Sequence, residues 1–319
     1  MTNLARFAPV LIAWTFMASP ALSDPFPVTV IDDRNMSVEI DAKPERISSL
    51  GAFAADISAA LGVKPVGTTT YNGVRALYLG DTLDGAVDFG SILQPNLELM
   101  TESQTDLIIG IRRYTEPYAD DFETLAPYLA FELLTNEDSV RAVASTSKAM
   151  GHGETGARLN ADYEALLSEY SKKAPGGVSA LFIWVWQDTL YAYYDHPMPA
   201  AFLKVLKARN VMGASPDPEM HENAGVPVTY EELLALDPDV LILYRAEGNA
   251  YPDNPALKRL RAVRDGRAYH VGYQYSQPHG PIAREIVLRE VAHLLYPDTF
   301  AAPDLPDGVA AEPIAFETR

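Results

Sequence analysis

Two stretches of this chain, more than a hundred residues apart, spell the same local plan. The first is Pro95-Asn96-Leu97-Glu98-Leu99-Met100 followed by Thr105-Asp106-Leu107-Ile108-Ile109-Gly110. The second is Val228-Thr229-Tyr230-Glu231-Glu232-Leu233-Leu234 followed by Asp237-Pro238-Asp239-Val240-Leu241-Ile242-Leu243. Each reads as a short acidic helix, a turn, and a strand apolar enough to be covered on both faces. Each copy sits inside its own α/β region. A duplicated unit of this kind predicts two similar lobes, and two lobes leave a cleft between them.

The length of 319 residues is enough for two cores. A hydrophobic share of 48% with 21% charged residues excludes a disordered chain. The first 23 residues stand apart. Arg6 gives a positive start, Phe7 to Met17 is apolar, and Ala21-Leu22-Ser23 offers small residues for cleavage, the pattern of a secretory signal peptide. The apolar run is too short for a membrane span. With no cysteine, the chain can carry neither a disulfide nor a lipobox. The expected mature protein starts near Asp24, free in a bacterial periplasm and monomeric. A formal charge of −18 argues against nucleic acid or an anionic membrane as partner. Any anion site must then be made by local cations.

Along the chain, Val28 to Asp33 and Met36 to Ile40 read as a hairpin, and Arg46 to Leu50 as a strand leading into a helix over Ala54–Leu61. A strand is expected from Lys64 to Gly67, then a polar loop over Thr68–Arg75. Helix Leu97–Ser103 and strand Asp106–Ile111 follow. Ser139 to Lys173 is helical, interrupted at Gly151-His152-Gly153, and its second part is read as a long connector. Strands at Val178–Val185, Leu190–Tyr194, Asp239–Leu243 and Ala268–Val271 alternate with helices at Pro199–Ala208, Glu231–Leu236 and Gly280–Leu295. Such alternation predicts βαβ units and a mainly parallel sheet. The tail beyond Pro297, rich in Pro, Ala and Asp, is expected to pack loosely. The reading divides the chain into a leader (1–23), an N-terminal lobe (24–150), a linking helix (151–176), a C-terminal lobe (177–300) and a tail (301–319).

Several short motifs, in fixed order over nearly all of the mature chain, carry a family likeness. They are Pro44-Glu45-Arg46-Ile47, Ala60-Leu61-Gly62-Val63-Lys64-Pro65-Val66-Gly67 and Pro95-Asn96-Leu97-Glu98 in the first half. In the second they are Leu236-Asp237-Pro238-Asp239-Val240, Ala262-Val263-Arg264-Asp265-Gly266-Arg267-Ala268-Tyr269 and Gly280-Pro281-Ile282-Ala283. The chain resembles the periplasmic solute-binding proteins of ABC importers for ferric siderophores, haem and cobalamin. The resemblance implies an α/β fold of two Rossmann-like lobes joined by one long rigid helix, little hinge closure, and a ligand held in the cleft. It also implies one surface glutamate per lobe that docks onto the permease dimer. Glu98 matches the first and Glu231 the second, with Glu232 as a neighbour that could serve instead. Both are also ordinary first-turn acids, favoured by the helix dipole.

Open α/β sheets bind ligands beyond the carboxyl ends of their strands. Arg112, Arg113 and Tyr114 follow one predicted strand; Tyr244 and Arg245, Trp186 and Gln187, and Tyr273, Tyr275 and His279 follow others; Tyr71 and Arg75 lie in a loop. From this set, Arg112, Arg113 and Arg245 are expected to grip anionic oxygens of a catecholate- or carboxylate-type ferric chelate, since guanidinium forks suit them. Tyr71, Trp186, Tyr273 and Tyr275 are expected to shape the pocket. The alternative for Arg112 and Arg113 is pairing on the surface with Glu116, Asp120 and Asp121. Trp184 and Trp186 share a strand face; Trp184 is assigned to the core, Trp186 to the cleft. Tyr191, Tyr193, Tyr194 and His196 leave haem open as a ligand, and cobalamin stays open through the family. His152, His221, His270 and His293 are scattered singly, and no metal site or resident cofactor is expected. No nucleophile elbow, zinc-hydrolase pair or phosphate loop is present. A binding protein is expected rather than an enzyme, with a periplasmic hydrolase as the outside alternative.

Overall fold

The computed structural model describes residues 26–71, 73–217, 225–245 and 254–314; the expected leader, His221 and residues 315–319 lie outside them. The N-terminal half opens with an antiparallel hairpin, β1 (Val28–Ile31) and β2 (Ser37–Ile40), whose Val28, Val30 and Ile40 turn inward. Five parallel strands follow: β3 (Ile47–Leu50), β4 (Gly67–Thr70), β5 (Val87–Ser91), β6 (Leu107–Ile111) and β7 (Tyr128–Phe131). They lie in the order β5-β4-β3-β6-β7. Helices α1 (Ala52–Ala60), α2 (Leu97–Glu102), α3 (Arg112–Thr115), α4 (Ala119–Leu125) and α5 (Asn136–Ala149) complete the lobe. The two-residue period of β6 sorts its side chains between two cores. Leu107, Ile109 and Ile111 join Phe53 and Ile57 of α1 and Val143 of α5. Ile108 faces the other way, with Met100 of α2 and Phe122 of α4.

Three local expectations change here. Thr68, Thr69 and Thr70 are buried strand residues rather than loop, since branched threonines suit a pleated surface as well as a polar turn. Strand β5 escaped the reading because only Phe89 of its five residues is buried, as befits a sheet edge. Strand β7 is four buried residues, too short for any period to declare itself.

Gly151, at a left-handed φ of 72°, ends the α5 segment and turns the chain into α6 (Gly153–Lys173). At 1.5 Å per residue its 21 residues span about 30 Å. Helices α5 and α6 approach closely at Gly156, where a β-carbon would sit 2.3 Å from Cβ of Ser147. Helix α5 packs on the N-terminal core through Ala142 and Val143, while Tyr163 of α6 packs on the C-terminal one. The connection between lobes therefore runs through a helix with side chains in the second core.

The C-terminal lobe contains β8 (Ser179–Trp186), β9 (Thr189–Tyr193), β10 (Arg209–Asn210), β11 (Gly225–Val228), β12 (Val240–Arg245), β13 (Ala268–Val271) and β14 (Glu312–Pro313). The sheet order is β11-β9-β8-β12-β13-β14, with β10 beside the start of β8. Strands β8, β12, β13 and β10 are parallel; β9, β11 and β14 run antiparallel to their neighbours. Helices α7 (Ala201–Val205), α8 (Tyr230–Leu236), α9 (Arg261–Arg264) and α10 (Pro281–Leu295) cover it. The tail is not loose. Phe300 and Val309 are buried, β14 extends the sheet, and the Ala311 N–H donates to Glu290 at 2.6 Å. Its Pro-rich composition concealed two apolar anchors and a two-residue strand.

At their base the lobes cap each other's helices. Asp56 of α1 accepts the backbone N–H groups of Ile282 and Ala283, each at 2.8 Å, at the start of α10. In return the Gln277 side chain accepts the N–H of Ala52, the first residue of α1, at 2.9 Å. Helix ends leave such donors without partners in their own helix. Arg284, 1% exposed, ties α10 to the connector: it donates to Ser139 Oγ at 3.1 Å and Asn160 Oδ1 at 2.9 Å, and lies 4.1 Å from the Tyr163 ring centre. Among the described residues no helix is long and apolar enough to cross a membrane.

Candidate functional site

Between the lobes lies a cavity of about 400 Å³. The N-terminal lobe contributes Tyr71 after β4, Arg113 and Tyr114 at the end of β6, and Leu133 and Leu134 after β7. The C-terminal lobe contributes Trp184 and Trp186 from β8, Tyr191 and Tyr193 from β9, and the Ser276–His279 turn ahead of α10. Strand ends thus supply most of the wall, as open α/β sheets lead one to expect.

Aromatic rings run in an unbroken series across this wall. Tyr114 and Tyr71 are 5.6 Å apart between ring centres, Tyr71 and Trp186 6.3 Å, Trp186 and Trp184 5.7 Å, and Trp184 and Tyr191 6.0 Å. Two of these rings come from one lobe and three from the other. Such spacings favour tilted and edge contacts between ring quadrupoles. The register of β8 against β9 sets Tyr191 opposite Trp184. Trp184, assigned to the core from sequence, touches that core and also faces the cavity. The two-residue period put both tryptophans on one face, and that face is the cleft side.

The predicted arginines part company. Strand β6 passes directly into α3, and successive helical residues point about 100° apart. Arg112 turns back onto its own lobe, where it donates to Glu116 at 2.9 Å and to the Asp33 carbonyl at 3.0 Å. The surface pairing foreseen as the alternative is therefore realised for Arg112 with Glu116. Arg113 projects into the cleft, its guanidinium 5.0 Å from the centre of the Tyr114 ring. Arg245, with Tyr273, lines a separate cavity of about 70 Å³ together with Arg75 and His270. Tyr275 does not reach the cleft: it is 2% exposed, packs on Phe182 at 6.2 Å, and its hydroxyl donates to Glu290 at 2.8 Å.

Burial shapes the chemistry of the wall. It pushes the Tyr71 phenol up to about 12, with Tyr114 adding and Arg113 opposing. Tyr193 and Tyr273 are raised further, again by burial first. The His279 ring, 3% exposed, is held down to about 4 by burial, which outweighs the opposing Leu134 backbone and is reinforced to a smaller extent by Arg113. At neutral pH Tyr71 and Tyr193 are consequently neutral phenols and His279 a neutral imidazole. Nε1 of Trp184 and both ring nitrogens of His279 are buried without a hydrogen bond among the described residues. Unpaired buried polar atoms are costly.

Tyr114, Tyr191, Tyr193, Leu133, Leu134 and His279 are wall residues that the sequence reading did not assign to the pocket. Tyr114 and His279 were visible as positions after a strand. The leucines were hidden because β7 was. No cluster of metal-holding side chains occurs among the described residues.

The two acidic helices can now be compared. Glu98 is the second residue of α2 and Glu231 the second of α8, and both are exposed. Asn96 caps α2 by accepting the Leu99 N–H, and Thr229 caps α8 by accepting the Glu232 N–H. Glu232 closes a capping box by accepting the Thr229 N–H at 2.7 Å, which holds its carboxyl below the usual range. Glu231 carries no such duty.

Comparison with known proteins bears on most of the chain. The model of the periplasmic binding protein family matches residues 47–275. A putative ABC transporter substrate-binding lipoprotein of Bacillus subtilis, YhfQ, is 28% identical over 245 residues, covering 72% of this chain and 76% of its own. The Fe(3+)-citrate-binding protein YfmC of the same organism is 22% identical over 251 residues, covering 75% and 77%. Among solved structures, the triscatecholate siderophore binding protein FeuA from Bacillus subtilis, complexed with ferri-bacillibactin, superposes with a TM-score of 0.70 at 19% identity, over 86% of this chain and 99% of its own.

Proposed function

This chain belongs to the periplasmic binding protein family, and from that membership we propose that it captures a ferric siderophore outside the cytoplasmic membrane and delivers it to an ABC permease. The observation that carries this reading is the cleft wall, with aromatic rings from both lobes and Arg113 projecting among them. Flat rings cover the organic shell of a chelate, and a guanidinium answers an anionic oxygen by a charge-assisted bond. The ligands of two similar proteins, ferric citrate and ferri-bacillibactin, support an iron chelate as cargo. Solute-binding proteins release their ligand unchanged, so no chemical step is assigned.

Reciprocal capping between α1 and α10 favours lobes that move little, so the cleft is nearly preformed and the ligand enters an existing surface. Docking is assigned to Glu98 and Glu231. One carboxylate on each lobe fixes the register on a two-fold permease, and charge pairs speed encounter. The Glu232 carboxylate is already engaged within its own helix. The signal-like residues 1–23 and the lipoprotein names of relatives support export. The absence of cysteine supports a form without a lipidated cysteine, free in the periplasm.

The test is tryptophan fluorescence of the chain from Asp24, titrated with ferric siderophores of several classes, their iron-free chelators, haem and cobalamin. Trp184 and Trp186 on the wall are expected to report binding of an iron-loaded chelate. Quenching by haem or cobalamin alone would replace the ligand and keep the carrier. No response to any of them would overturn the proposal.

A further inference from the structure

Charge on the cleft wall is sparse. Among the described residues that line the large cavity, Arg113 is the one charged side chain. The half-buried Glu132 carboxylate lies in its field and offsets part of it. Arg112 is committed to Glu116, and Arg75 and Arg245 line the smaller, separate cavity. The chain as a whole carries −18. A buried ligand with several uncompensated negative charges would be strongly disfavoured in such a place.

Neutral recognition, by contrast, is abundant. Five rings run in series across the wall, and their faces suit neutral aromatic surface on a ligand.

We infer that the cleft selects a ferric chelate that bears aromatic rings and at most one uncompensated negative charge, with the rings stacked on the Tyr71–Trp186–Trp184 series and one anionic group at Arg113. This rests on the reading of the chain as a ferric-chelate carrier. It separates that carrier's ligand from trianionic complexes, which call for several cations, and from ring-free complexes, which leave the aromatic wall unmatched.

The experiment compares three iron(III) complexes by fluorescence titration of the chain from Asp24: a tris-catecholate of net charge −3, a ring-free trihydroxamate of net charge 0, and an aryl complex built on phenolate, oxazoline and hydroxamate donors of net charge 0 or −1. The aryl complex is expected to bind at least ~100-fold tighter than the trianion and about tenfold tighter than the trihydroxamate. With one charge in play, its Kd should change less than about threefold between roughly 50 and 500 mM NaCl. Equal or tighter binding of the trianion or the trihydroxamate would overturn the inference and leave the carrier intact. Failure of all three complexes to bind would overturn the inference as well, and the carrier reading would then be decided by the wider panel of carboxylate chelates, haem and cobalamin.

Discussion

Asp56→Ala is the substitution that most directly tests how the lobes are held. Helix α10 has no side-chain cap of its own at Gly280. Asp56, from the other lobe, accepts its first two available N–H groups at 2.8 Å each. Removing the carboxylate strands two buried donors, at about 1–3 kcal/mol apiece. The effect depends on pH in a calculable way. Burial pushes the Asp56 carboxyl from its ordinary 3.8 up to about 6, against the pull of the two N–H groups, the Tyr78 hydroxyl and Arg284. The folded protein therefore holds this proton more tightly than the unfolded chain does. The stability that Asp56 contributes is complete only well below its ordinary 3.8 and falls as the pH rises through about 6. A shift from 3.8 to about 6 corresponds to about 3 kcal/mol at 1.36 kcal/mol per pH unit. The difference in unfolding free energy between the native chain and Asp56→Ala should then be about 2 kcal/mol larger at pH 4 than at pH 7, because part of the effect is already lost at pH 4. Urea unfolding, followed by tryptophan fluorescence and circular dichroism at four pH values, measures it. Groups common to both proteins cancel in the difference. A gap that stays constant to within ~1 kcal/mol, or narrows on acidification, would refute the reasoning.

Other expectations can be read off the same contacts. Arg113→Ala should weaken an anionic ferric chelate by about 10- to 100-fold, the worth of a charged hydrogen bond, whereas Arg112→Ala, already paired with Glu116, should change affinity less than about threefold; equal losses in titration would put both arginines on the ligand. Glu98→Arg combined with Glu231→Arg should leave chelate affinity intact and abolish uptake in cells, so normal uptake would reject the docking role. Gly280→Ala places a β-carbon 2.2 Å from Cγ of Asp56 and should lower stability by about 2 kcal/mol or more through overpacking of the α1–α10 contact, an expectation defeated by a wild-type denaturation midpoint.

The repeat, the apolar runs and the strand-end rule were enough to read two α/β lobes, a connecting helix and a cleft from the sequence by itself. Local patterns suffice for these because a run such as Leu107–Ile111 can be buried in few ways. The helix starts that carry Glu98 and Glu231 were legible too, since such a start announces itself through Asn96 and Thr229. What only the tertiary structure decided is which side chains share the cavity. Arg112 and Arg113 are neighbours in sequence, yet the helical turn sends one to Glu116 and the other to the cleft. Tyr273 and Tyr275 lie two residues apart in one turn, and only the packing of Tyr275 on Phe182 and its bond to Glu290 removes it from solvent. The unmet polar atoms of Trp184 and His279 exist only after residues far apart in the chain have closed around them. Sequence carries local propensity and period, whereas a cavity between lobes is made of non-local contacts, and its charge count depends on the direction in which each side chain finally points.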